Sequence, residues 1–164
     1  MRKLAWITVG FTYFLMVWGN MVSATGSGLA CPDWPLCHGT LTPPISFEVV
    51  LEWGHRCLAF TATVLIFTTI YKILRLKSDD TNPNQSYLNG NIKRSGKTLL
   101  ALIAIQILLG GTTVLLGLSI AVSTIHLIVA NIVLCGLITV AAVATWGNPI
   151  VKEPSAKVRR LAVA

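Results

Sequence analysis

The sequence predicts an all-α integral membrane protein. It reads as a single domain over 1–164, a four-helix bundle of two helical hairpins with both termini cytoplasmic. Three observations predict this. First, 54% of the 164 residues are hydrophobic and only 12% are charged, with a mean hydropathy of +0.70. A soluble domain carries about 25% charged residues, so too little charge is present to cover a water-facing surface. The apolar excess excludes a disordered chain as well. Second, four apolar stretches are each long enough, at 1.5 Å per residue, to cross roughly 30 Å of hydrocarbon. Third, the basic residues fall almost entirely on one side of those stretches.

The first span covers about 4–22. It follows Met1-Arg2-Lys3 and precedes Val22-Ser23-Ala24, a pattern also seen in cleavable signal peptides. Its length and its Thr8, Thr12 and Asn20 favour a retained span. An outer loop of 23–48 follows. The second span, 49–74, carries Glu52, His55 and Arg56 near its start. The inner loop, 75–97, contains Asp79-Asp80, Asn82-Pro83 and Asn89-Gly90 and reads as a flexible connector. Spans three and four, 98–118 and 121–146, are separated only around Ser119 and Ile120, which makes them an antiparallel hairpin. The basic tail, 147–164, is expected at the lipid headgroups.

Of the 13 Lys and Arg residues, only Arg56 lies on the outer side of this plan. The acids divide evenly between the sides. The overall +7 therefore resolves into a strongly positive inner side and a slightly negative outer side. By the positive-inside rule both termini are cytoplasmic. The charge is an orientation signal, and no nucleic-acid partner is expected.

Each hairpin has a return span with a histidine near its outer start, His55 and His126. Their expected depth is roughly 8–9 Å at helical rise. Singly, each could be a polar residue bonded to a neighbouring helix. Two at matched depth favour axial ligation of one haem iron. Zinc would want four ligands, or three and a water. His38, in the outer loop, reads as a solvated residue.

Glu52 lies three residues before His55, on the same helix face. An ionisable residue at this depth is a functional candidate. The competing reading is an ion pair with Arg56. Arg56 could also bind a haem propionate, because guanidinium matches carboxylate geometry. Cys31 and Cys37 fall in an oxidising compartment where a disulfide persists, either structural or redox-active. Cys57 and Cys135 read as packing residues. Gln106, Gly110-Gly111 and Ala130 would allow close approach of a helix or a flat ligand.

Three stretches together resemble the haem A synthase family of cytochrome oxidase assembly. The first runs Thr25-Gly26-Ser27-Gly28-Leu29-Ala30-Cys31-Pro32-Asp33-Trp34-Pro35-Leu36-Cys37-His38-Gly39, with Pro43-Pro44 after it. The second is Glu52-Trp53-Gly54-His55-Arg56, and the third runs from Gln106 to Leu118 with His126-Leu127 beyond. The resemblance implies oxidation of the C8 methyl of haem O to the formyl of haem A. It implies Glu52 as the catalytic acid, His55 and His126 as haem-iron ligands, and a Cys31–Cys37 disulfide. It places the chain in the plasma membrane of a prokaryote. Haem O synthase and oxidase assembly factors are implied as partners. Family members usually have eight spans with a haem b in the second half. The four here imply a homo-oligomer that could hold haem b, or a half-subunit. A two-histidine haem b protein without enzymatic activity is the alternative.

Overall fold

The computed structural model describes residues 2–76 and 83–146. Among them run four long helices: α1 (Arg2–Ala24), α2 (Phe47–Leu74), α3 (Pro83–Leu115) and α4 (Ile120–Trp146). A short 3-10 turn, Ser27–Leu29, sits in the connection between α1 and α2. All four helices are long and apolar enough to cross a membrane. Their exposed sides carry Phe14, Phe60, Leu108 and Ile128. Helices that are apolar on every side are stable only where hydrocarbon or protein surrounds them.

The packing follows the chain order. α1 lies on α2, α2 on α3, α3 on α4, and α4 closes the ring on α1. That ring leaves α1 opposite α3, and α2 opposite α4. Successive helices are antiparallel. Near its start, α1 meets the end of α4, where Trp6 Nε1–H donates to Thr145 Oγ1 at 3.0 Å. The end of α2 lies there too, with Thr8 and Thr69 hydroxyls 2.9 Å apart in a fully buried pair. Thr8 donates its own proton to Leu4 O, so Thr69 is the donor between the helices. Such a bond is worth about 0.6 kcal/mol in a membrane bundle.

The aliphatic core is one-sided along the bundle axis. Ile66, Ile70 and Ile73 of α2, Ile92, Leu99 and Ile103 of α3, and Val133, Leu137 and Val140 of α4 form one buried cluster. Most lie in the half remote from the 25–46 connection, with Val133 and Ile103 reaching the middle of the bundle. Lipid tails are as apolar as these side chains, so the gain is close packing rather than release from water.

The polar segment 75–97, expected to be a loop, is helical from Pro83 onward. Proline suits a first helical turn, where its missing N–H would have no partner anyway. Further along, Ile92 is buried and Gly96 lies against Ile70 and Ile73 of α2. This tertiary packing overrides the turn propensity of Asn89-Gly90. Residues 77–82 and the expected headgroup tail, 147–164, lie outside the described residues. α3 ends at Leu115, short of the expected 118, because Gly117 and Leu118 turn into the left-handed region with φ of 61° and 59°. Leu118 N–H donates back to Thr113 O at 2.8 Å, which caps the helix.

Candidate functional site

Toward the end of the bundle that carries the 25–46 connection, the inward positions change character. Here they hold Gly19 of α1, Glu52 and His55 of α2, Gln106 and Gly110 of α3, and His126 of α4. The nine-residue aliphatic cluster does not reach them, although Val22, Val49, Leu51 and Val114 are buried at this end. Because α2 and α4 are opposite, the two histidines enter from opposite sides of the bundle. Counted from Phe47 and Ile120, they stand roughly 12 and 9 Å along their helices. The two imidazoles are within electrostatic range of each other.

Both rings lie against a glycine of the preceding helix. A methyl at Gly19 would come within 2.9 Å of His55 Cε1, and one at Gly110 within 3.3 Å of His126 Cε1. Each hairpin thus repeats one contact, with a returning-helix histidine seated on an outgoing-helix glycine.

The nitrogens of these rings are under-used. Nδ1 of His55 and Nδ1 of His126 are buried without a hydrogen-bond partner, as are Thr12 Oγ1 and Gln106 Oε1. His126 Nε2 does approach Gln106 Nε2, at 3.3 Å. An unpaired buried polar group costs about 1–3 kcal/mol. Imidazole lone pairs from opposite helices suit a metal that needs only two protein ligands. Haem iron is that case, since the porphyrin supplies the other four. Among the described residues, no group of three or more His, Cys, Asp or Glu could hold a bare ion. The residues present therefore fit a haem held between His55 and His126.

Glu52 is 5% exposed and accepts from Arg56 Nε–H at 2.8 Å. The ion pair weighed against a catalytic carboxylate is therefore present, and it leaves Glu52 on the His55 face. Arg56 turns mainly toward the loop. Its Nη1 donates to Asp33 O at 2.6 Å and Leu36 O at 2.5 Å, and its Nη2 to Cys31 O at 2.8 Å. A guanidinium has five N–H donors, and four are taken here. One N–H, on Nη2, remains for the propionate contact expected of Arg56.

The loop itself folds around those carbonyls. Cys31 and Cys37 form a disulfide and are both fully buried. The Asp33 carboxylate accepts from the N–H groups of His38 at 2.6 Å and Gly39 at 2.8 Å. Those bonds, the one from Gly39 foremost, hold the Asp33 carboxyl below its ordinary pKa of 3.8. His38, exposed as expected, donates Nε2–H to Ala30 O at 2.9 Å. The Trp34 ring seats on α3 where a Gly111 side chain would be, with Cδ2 at 3.0 Å from the Cβ position. Gly28 likewise meets Leu118 of the α3–α4 turn. The loop thus joins both hairpins across the top of the histidine pair.

The structure therefore brings His55, His126 and Glu52 to one end of the bundle. Arg56 and the cysteine pair lie directly above them. Cys57 and Cys135 are exposed, on the outer helix surfaces, and not packed inside. Gly19 and Thr12 escape a reading based on reactive residues. The repeat between hairpins was the available signal for Gly19, which precedes the end of α1 by the same five positions that separate Gly110 from Leu115.

The model of the COX15-CtaA family, described as cytochrome oxidase assembly protein, matches residues 2–50 and 45–164. A heme A synthase of Symbiobacterium thermophilum is 31% identical over 110 residues, covering 67% of this chain and 33% of that protein. The heme A synthase of Lysinibacillus sphaericus is 29% identical over 151 residues, covering 86% of this chain and 46% of that protein. That of Bacillus licheniformis is 37% identical over 67 residues, 40% of this chain and 22% of that protein. The chain spans less than half the length of these curated relatives. No solved structure matches it. With four membrane-capable helices and bacterial relatives, this is a multi-pass protein of a prokaryotic plasma membrane, and the chain belongs to the cytochrome oxidase assembly protein family.

Proposed function

We propose that this chain is a haem A synthase, which oxidises the C8 methyl of haem O to the formyl of haem A. The observation that carries the reading is the opposed pair His55 and His126, with unpaired Nδ1 atoms, and Glu52 on the His55 face. Relatives named heme A synthase over most of the chain support it. Haem O is the substrate, supplied by haem O synthase, and the product serves oxidase assembly.

The chain's own residues have three tasks. His55 and His126 would hold the haem iron between α2 and α4. Glu52 lies one helical turn toward the loop from His55. There a carboxylate stabilises positive charge developing on the methyl carbon, or accepts a proton from it. The disulfide loop and Trp34 cover this end and limit water. Converting the methyl to a formyl takes one oxygen from water and releases four protons and four electrons. The electrons go to an acceptor outside this chain.

The asymmetry of Lys and Arg along the sequence supports a loop end that faces outside the cell. Self-association is part of the proposal, since a second copy would supply a second histidine pair for haem b.

The test is extraction and chromatography of the haems from cells that make haem O and express this chain. Haem A, or its alcohol precursor, is expected. With Glu52→Ala, haem O should remain bound and accumulate. Haem A formed at the normal rate in that variant would remove Glu52 from the mechanism. Unchanged haem O with the native chain would make the protein a haem carrier.

A further inference from the structure

Arg56 has no role in the chemistry above, yet it joins the two parts that do. Three of its four hydrogen bonds end on Cys31 O, Asp33 O and Leu36 O. All three carbonyls belong to the ring closed by the Cys31–Cys37 disulfide. The fourth bond, from Nε, ends on Glu52 Oε1. An exposed ion pair four residues apart on a helix would matter little. This one is different, because the Arg56 and Glu52 side chains are only 10% and 6% exposed. The planar fork of arginine also transmits direction. If the ring carbonyls move, the fork turns, and the carboxylate bonded to Nε turns with it. Lysine has the charge but no fork, and cannot meet three carbonyls and a carboxylate at once.

We propose that Arg56 is a positioning residue which couples the geometry of the disulfide-closed ring to the carboxylate of Glu52. The disulfide is then part of how Glu52 is aimed, and opening the ring misdirects it. This rests on the reading of Glu52 as the group that acts on the substrate.

The experiment uses the full chain in lipid nanodiscs and compares Arg56→Lys, the pair Cys31→Ser with Cys37→Ser, and all three substitutions combined. Turnover and KM for haem O are measured, together with the infrared carboxyl band that Glu52→Gln removes. Loss of aim without loss of binding should lower kcat about 10–100-fold and leave KM within about twofold. The combined variant should be no worse than the worse of the other two, the signature of coupled residues. The Glu52 band should shift in both Arg56→Lys and the serine pair. Multiplying defects, or a Glu52 band unmoved by ring opening, would overturn the coupling. Should a variant fail to bind haem, the native protein treated with a dithiol replaces it. The disulfide takes two electrons and two protons, the dithiol becomes its cyclic disulfide, and once thiol labelling shows both sulfurs reduced the same band either shifts or refutes the proposal. If the native chain fails to convert haem O, the enzymatic reading falls while the infrared arm still reports on the coupling.

Discussion

His55 rests on Gly19 so closely that a single methyl there would stand 2.9 Å from its Cε1. That is inside the contact distance of any real side chain. The imidazole therefore owes its position to a missing side chain on another helix. His126 and Gly110 repeat the relationship at a looser 3.3 Å.

Gly19→Ala should push the His55 ring from its seat, with a cost of about 1–3 kcal/mol. Gly110→Ala should do less, because its neighbour has further to give. Haem titration of the purified variants, scored by haem stoichiometry and affinity, checks the order. Equal, native affinity in both would show that the ring finds its place without the glycines.

Removing one histidine should convert a six-coordinate haem to a five-coordinate one, and removing both should abolish binding. His55→Ala and His126→Ala are each expected to lose the low-spin optical and electron paramagnetic resonance signals. A variant that keeps the low-spin signal would exclude its histidine as an iron ligand.

Asp33 gives the loop a dependence on acid. Its folded pKa lies below the ordinary 3.8, mainly through the Gly39 N–H bond. A depressed carboxyl pKa stabilises the fold fully above the unfolded value, and that stabilisation is lost as pH falls through the folded one. The amides of His38 and Gly39 should stay protected at neutral pH and exchange faster only below the usual carboxylate range. Asp33→Asn should expose both at all pH values. Hydrogen exchange read by mass spectrometry decides, and pH-independent protection in the native chain would contradict the assignment.

Leu137→Ala opens the buried aliphatic cluster in the half remote from the histidines. It should cost about 2–5 kcal/mol of stability. Haem affinity should change little, since the site lies at the other end. Thermal unfolding with and without haem separates the two effects, and a parallel loss of affinity would argue that the halves are not independent.

Much of this architecture was legible in the sequence, for physical reasons. Hydrocarbon imposes a minimum apolar length, so the four spans stand out. His55 and His126 stand out because few polar residues are tolerated at that depth. What stayed hidden depended on tertiary contact. Asn89-Gly90 looks like a turn until Ile92 and Gly96 pack on α2. Arg56 looks like a free cation near a carboxylate until the loop carbonyls fold onto it. Gly19 has no chemistry of its own, and its meaning lies wholly in the ring it admits.

The aliphatic cluster at one end has a mechanical consequence. Cohesion is greatest where Ile70, Leu99 and Val140 meet, so the molecule works like a peg with its spring at the base. The two imidazoles stand at the other end, where the disulfide-closed loop, through Trp34 on Gly111 and Gly28 on Leu118, does for the tips what the aliphatic side chains do for the base.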